Sequence, residues 1–260
     1  MTELKPPTTA GPGVPFGQPA ITLVAPAKLT LSLRMTGVRP DGYHLIDAEM
    51  VTLDLHDVIR IAAGNALGIT GRFAVGIPTD GGNLVRRALA LVGRTADVTI
   101  DKRIPHGGGL GGGSADAAAV LRWAGWTDPV AASVIGADVG FCLIGGRARV
   151  TGIGEVIEQL EPIRRHVTLI VPPLSCSTPA VYRAWDELGG PRGDHYNDLE
   201  PAACLVEPRL VRWRDRITEA AGTRPVLAGS GATWFVDGHH RDLAVALPEA
   251  IVVETRTDPP

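Results

Sequence analysis

The run Ile104-Pro-His-Gly-Gly-Gly-Leu-Gly-Gly-Gly-Ser-Ala-Asp-Ala-Ala-Ala-Val-Leu121 places six glycines between Gly107 and Gly113, directly before a helix-forming stretch. Glycines let backbone N–H groups turn toward an anion without Cβ obstruction, and the first turn of a following helix adds unpaired donors and a positive dipole end. The tract is therefore a candidate phosphate cradle. It lacks the Gly-Lys-Ser/Thr ending of a Walker loop and the strand–turn–helix setting of a dinucleotide fingerprint. A flexible linker is the alternative, although linkers seldom run straight into an alanine-rich helix. Ser114 stands at the expected N-cap, where its hydroxyl can cap the helix, meet a phosphate oxygen or help hold magnesium. Phosphoryl transfer also needs positive charge and a base for the acceptor hydroxyl. Lys28, on the polar face of an early strand, and Asp138, in Gly136-Ala-Asp-Val-Gly140, are candidates for those roles. A surface salt bridge and a plain turn residue are their respective alternatives.

These residues must be carried by regular elements. In Lys28-Leu-Thr-Leu-Ser-Leu-Arg-Met35, Leu29, Leu31, Leu33 and Met35 share one face of a strand that begins near Ile21, and Lys28, Thr30, Ser32 and Arg34 share the other. A second strand is expected over Val51–Ile61, a helix over Asn83–Val92, and a strand over Asp97–Asp101 that delivers the glycine tract. Beyond the Ser114 helix, Phe141–Ile144, Gly145-Gly146 and Arg147–Val150 have the pattern of a β-hairpin. The pattern restarts around Glu161–His166, with a strand at Val167–Val171, helices near Pro179–Leu188 and Pro208–Ala221, and short strands flanking Gly229-Ser-Gly231. A helix near Leu243 and a strand at Ile251–Thr255 follow. This order suits an α+β fold. The expected division is a disordered Pro/Gly/Thr-rich leader over 1–18, a first domain over 19–160 and a second over 161–260.

The formal charge of −3 and pI near 6.2 give no global field for nucleic acid or anionic membranes. No stretch approaches the ~18 apolar residues of a membrane span, and the N-terminus has no secretory pattern. Cys142, Cys176 and Cys204 are scattered without metal-like spacing, which favours buried thiols in a reducing cytoplasm over a disulfide framework.

Ala25-Pro-Ala-Lys28, Arg39-Pro-Asp-Gly-Tyr-His44, Ile100-Asp-Lys-Arg-Ile-Pro105, the glycine tract, Gly136-Ala-Asp138 and Gly229-Ser-Gly-Ala232 occur in one order over nearly the whole chain after residue 20. That order resembles the GHMP small-molecule kinases. The resemblance implies a two-domain α+β fold, with a ribosomal-protein-S5-like N-terminal domain, a ferredoxin-like C-terminal domain, and use of ATP with Mg2+. The Asp-Gly-Tyr-His segment, with Asn197-Asp-Leu-Glu200, resembles the branch that phosphorylates the 2-hydroxyl of a cytidine diphosphate-linked methylerythritol in non-mevalonate isoprenoid synthesis. Another GHMP kinase, or a nucleotide-binding protein of this fold without catalysis, are the alternative readings. A cytoplasmic monomer or homodimer is expected.

The resemblance makes Asp138 the general base and Lys28 the cation that stabilises developing charge. It places Pro105, Gly107, Gly108, Gly109, Leu110, Gly111, Gly112, Gly113 and Ser114 at the ATP phosphates, with Ser114 also the metal candidate. Asn83 and Lys102 match positions lining the adenosine pocket, although an N-cap and a solvated strand end are their plainer readings. Tyr43 and Tyr182 match the rings that cover the cytosine, and His44 the residue that meets its polar edge. Thr30, Gly229 and Ser230 complete the expected substrate contacts. The chain departs from the usual pattern in three places: Thr30 replaces an Asn, Gly140 replaces a common Pro, and Trp123–Pro129 is compressed where a longer helix pair is usual.

Overall fold

In a computed structural model that describes residues 19–193 and 195–257, the leading strand runs as predicted and its polar face is buried at the centre. The expected leader over 1–18 lies outside the described residues. Strand β1 (Ile21–Val38) buries Leu29, Leu31, Leu33 and Met35 on one face, and Lys28 and Thr30 are buried on the other. Strand β2 (His44–Ala62) starts seven residues before the expected Val51. The charged residues Asp47 and Glu49 masked this extension. They alternate with buried Ile46, Ala48 and Met50, and pair across the strands with Arg149 at 2.7 Å and Arg147 at 2.7 Å. Strand β3 (Leu67–Thr70), helix α1 (Leu84–Leu91) and strand β4 (Asp97–Asp101) follow, with β3 and β4 parallel and joined by the α1 crossover.

Helix α2 (Gly112–Trp123) buries every residue from Ser114 to Leu121, which its alanines permit by letting neighbours approach closely. Ser114 is not its N-cap. Gly111 holds that place in the left-handed conformation (φ 68°, ψ 20°), so the N-cap lies three residues earlier than expected. Each glycine inside a helix costs about 1 kcal/mol relative to alanine, a penalty that burial of the following face outweighs. Helix α3 (Pro129–Ala132) is a single turn capped by Asp128, whose carboxylate accepts from Ala131 N at 3.0 Å.

The expected hairpin is replaced by helix α4 (Val139–Ile144) followed by strand β5 (Arg147–Gly152), whose partner is the Ile46–Val51 part of β2. Four apolar residues carry too little periodicity to separate strand from helix. Gly145 and Gly146, at φ of 74° and 78°, end the helix instead of turning a hairpin. The Arg122 guanidinium satisfies the last turn of α4 by donating to the Cys142 carbonyl at 2.5 Å.

Strand β6 (Val156–Gln159) pairs with β5. Then come β7 (His166–Val171), α5 (Thr178–Glu187), α6 (Glu200–Val206), α7 (Arg209–Ala221), β8 (Val226–Leu227), β9 (Trp234–Asp237), α8 (Leu243–Ala246) and β10 (Ile251–Arg256). The four late strands form an antiparallel sheet in the order β10-β7-β9-β8. All of Val167–Val171 is buried, as is Trp234–Val236, so this sheet is covered on both faces. Of the cysteines, Cys142 is buried, whereas Cys176 and Cys204 are half-buried and free.

The chain forms two compact units that interleave in sequence. Of the described residues, one comprises 19–27, Leu55–Pro105 and Gly111–Ile144, and the other Lys28–Asp54, His106–Leu110 and those from Gly145 onward. In the first unit, the Val58–Ala62 part of β2 pairs with β4, and α1 buries Val85, Ala88 and Leu89. Asn83 anchors α1 by accepting from Val85 N at 2.9 Å while donating to Pro78 O at 2.8 Å. Asn83→Ala removes both bonds and is expected to lower the unfolding free energy by about 1 kcal/mol, read from paired urea melts; an unchanged midpoint would show that the cap carries no stability.

Candidate active site

Gly107, Gly109 and Gly111 take φ values of 77°, 77° and 68°, so left-handed residues recur at every second position of the tract. Such alternation is how consecutive N–H groups form an anion-binding concavity. Leu110 is buried between them, and its carbonyl accepts from Lys28 N at 3.0 Å, which fixes β1 beside this part of the tract. The glycines are needed for different reasons. A Cβ on Gly108 would lie 2.3 Å from Thr233 Oγ1, and one on Gly109 would lie 2.6 Å from the Ala228 carbonyl oxygen. Gly107 has open space around it, leaving only its backbone angle as a constraint. Gly112, Gly113 and Ser114 form the first turn of α2, whose N–H groups have no partner within the helix.

Beneath that turn lies a buried ion cluster. Lys102, expected at an adenosine pocket, is 2 % exposed, and its ammonium pairs with Asp57 and with Asp116 at 2.7 Å. Asp57 also accepts the backbone amides of Arg103 at 2.5 Å and Ile104 at 2.8 Å. It thereby pins the segment entering the glycine tract. Burial pushes the Asp116 carboxyl up to about 7, against the opposing pull of the Lys102 ammonium. Its Oδ1 has no partner among the described residues. The Lys102 side chain is thus committed to a strut, and its main chain bonds Thr70 and Phe73. Asp57 and Asp116 were missed from sequence. A lone carboxylate in Leu55-His-Asp-Val-Ile59, and another within the alanines of α2, were the available signals.

In the second unit, Lys28 Nζ donates to Thr30 Oγ1 at 3.1 Å, both residues being buried. A Cβ on Gly229 would come within 3.9 Å of both atoms, so the Gly229-Ser-Gly231 turn lies beside them. Asn197 holds that turn, donating to the carbonyls of Leu227 at 2.8 Å and Gly229 at 2.6 Å while accepting from Leu199 N at 2.9 Å. The hydroxyls of Ser230 and Thr178 bond at 2.8 Å, tying the turn to the start of α5.

The aromatic residues form a shelf on α5. The His44 ring sits 4.9 Å from that of Tyr182 and 5.7 Å from that of Trp185, which meets it edge-on. His44 Nε2 is 2.8 Å from Asp186 Oδ1. Tyr43 is 58 % exposed, with the Arg39 guanidinium 5.9 Å from its ring centre. Sequence reasoning named Tyr43, His44 and Tyr182 and missed Trp185 and Asp186, although helical spacing from Tyr182 places both on its face.

Asp138 is half-buried and directly precedes α4, its carbonyl accepting from Cys142 N at 3.0 Å. The compressed stretch before it yields only the single turn of α3 and the turns that flank it. Among the described residues, no three His, Cys, Asp or Glu side chains gather as a metal site.

A sequence profile described as "GHMP kinases N terminal domain" matches residues 83–127. The chain is 39 % identical over 231 residues to the 4-diphosphocytidyl-2-C-methyl-D-erythritol kinase of Paracoccus denitrificans, spanning 81 % of this chain and 84 % of that protein. It is 36 % identical over 260 residues to the Cereibacter sphaeroides kinase of the same name, covering 88 % and 94 % of the two chains. A crystal structure titled 4-(cytidine 5'-diphospho)-2C-methyl-D-erythritol kinase superposes with a TM-score of 0.72 at 29 % identity, covering 92 % of this chain and 100 % of that one.

The contrast among the glycines gives a direct test. Gly109→Ala combines an unfavourable φ with a collision against backbone, whereas Gly107→Ala meets only the former. Gly107→Ala is expected to cost about 1 kcal/mol and Gly109→Ala clearly more, measured by thermal and urea unfolding; equal losses would mean that the Ala228 contact does not constrain the tract.

Proposed function

We infer that this chain, which belongs to the 4-diphosphocytidyl-2-C-methyl-D-erythritol kinase family, transfers the γ-phosphoryl group of ATP to the 2-hydroxyl of 4-diphosphocytidyl-2-C-methyl-D-erythritol, a step of non-mevalonate isoprenoid synthesis. Kinship over most of both chains carries this reading. The alternating glycines, the buried lysine of β1 and the aromatic shelf on α5 support it.

The residues divide the work by their chemistry. The glycine tract and the first turn of α2 offer backbone donors and a positive dipole end to the triphosphate. Asp138 is the proposed base: it takes the proton of the 2-hydroxyl as that oxygen bonds to the γ-phosphorus, while the bond from phosphorus to the β–γ bridging oxygen breaks and ADP leaves. Phosphoryl transfer is mostly positioning and charge stabilisation, and Lys28 is the proposed source of positive charge. Burial makes its ammonium more effective, because the field is less screened than in water. Magnesium accompanying ATP would neutralise charge on the phosphates, with Ser114 as the chain's own candidate ligand.

The shelf of Tyr182 and His44, with Tyr43 nearby in sequence, is proposed to receive the cytosine. Stacking of a base on an aromatic ring is worth roughly 1–3 kcal/mol. No described helix is long and apolar enough to cross a membrane, and a cytoplasmic location is proposed with the three cysteines reduced.

Asp138→Asn keeps the shape and loses the basic oxygen, so it should lower kcat by at least about a hundredfold while ATP affinity stays nearly unchanged. Coupled ADP release with the cytidyl substrate, set beside homoserine and mevalonate as acceptors, measures both the loss and the substrate class. Turnover within a few-fold of the parent would remove Asp138 from the base role, and preference for a simple alcohol would replace the cytidyl reading.

A further inference from the structure

The His44 ring is held on three sides. Tyr182 and Trp185 confine it, its side chain is 13 % exposed, and Asp186 sits 2.8 Å from Nε2. All three neighbours lie on α5, Trp185 and Asp186 standing three and four residues after Tyr182, so each borders Tyr182 on the helix surface. Trp185 is itself fixed, largely buried with its indole N–H donating to the Pro191 carbonyl at 2.9 Å. The ring therefore has one orientation, set by packing, and among the described residues one hydrogen-bond partner, the Asp186 carboxylate. An ionised carboxylate only accepts, so the nitrogen facing it must carry the hydrogen. With Nε2–H directed at Asp186, a neutral ring presents Nδ1 to a ligand as a lone pair.

We propose that Asp186 is a specificity-determining positioning residue that locks His44 as a hydrogen-bond acceptor at Nδ1, so that the site takes the 4-amino group of cytosine and rejects the 4-oxo group of uracil. This rests on the reading that the pyrimidine of the acceptor substrate lies against His44. An amino group donates to the lone pair. A 4-oxo group in its place brings two acceptors together and leaves both without a donor, the kind of mismatch by which polar sites discriminate most strongly. Without Asp186 the imidazole can move its hydrogen to Nδ1 and donate to uracil's oxygen, so the preference fades. Asp186 is 48 % exposed at its side chain, and its replacement therefore strands no buried charge.

The test uses the full chain and compares the parent with Asp186→Ala and Asp186→Asn. Competition by CDP and by UDP against the cytidyl substrate gives the preference, and the KM for ATP serves as a control. Long-range proton–nitrogen NMR of the His44 ring reports which nitrogen holds the hydrogen, a signature that a merely structural role would not move. The parent should prefer CDP and show the Nε2–H tautomer. Both variants should lose roughly tenfold of that preference, show mixed tautomers and keep the ATP KM. Variants that retain the preference, or that weaken CDP and UDP equally, would overturn the role of Asp186 while leaving the cytosine site standing. A parent that binds CDP and UDP alike would instead remove the cytosine site itself, and this proposal with it.

Discussion

A single buried ammonium shared by two carboxylates supports the approach to the glycine tract. Lys102 joins Asp57 on β2 to Asp116 on α2, and Asp57 also grips the amides of Arg103 and Ile104, so a strand, the segment leaving β4 and a helix meet at one cation. Such a cluster is a poor source of net stability compared with packed hydrocarbon, but breaking it leaves an uncompensated charge, at a cost of about 3–5 kcal/mol. Its value lies in definition. The entry segment cannot shift without exposing a charge, so the first turn of α2 has a fixed foundation.

The second unit holds its glycine turn and neighbouring backbone with polar side chains. Asn197 donates its amide to two carbonyls at the Gly229-Ser-Gly231 turn, those of Leu227 and Gly229, while its own carbonyl accepts from Leu199 N just before α6. The adjacent Asp198 accepts from Met35 N at 2.9 Å and Gly193 N at 3.0 Å while pairing with Arg34 at 2.8 Å. Asn197 and Asp198 are almost fully buried, and apart from the Arg34 pair each of these bonds satisfies a backbone group that would otherwise be costly to bury. Together they hold the turn beside Lys28 and Thr30. Rigidity of this kind is what a site needs if its catalytic groups are to keep productive geometry.

The glycine tract shows how one residue type serves two masters. Gly108 and Gly109 are small because protein atoms crowd them, whereas Gly107 is in open space and Gly111 is the left-handed cap that launches α2. Composition cannot separate these reasons. A phosphate cradle and a close backbone contact both ask for the absence of Cβ.

Strands and long helices were legible because burial imposes a period on the residues that line it: β1, β4, β7, α5 and α7 follow their apolar pattern to within a residue or two at most ends. The ordered motifs were legible too, and they carried the family. What the pattern misplaced were elements whose identity depends on neighbours. Four apolar residues became the last part of α4 because β5 found its partner in β2, and Asp47 and Glu49 joined a strand because arginines waited across it. Lys102 was named for a ligand and is occupied by Asp57 and Asp116, partners 45 and 14 residues away. Trp185 and Asp186 gained meaning only when His44, from the start of β2, was packed against them. The sequence by itself determined the local periodicities, the glycines and the family motifs, since these are written in spacing along the chain. Tertiary structure alone decided which polar groups meet, because a charge or a ring acquires its role from the atoms that replace its water, and those come from distant segments.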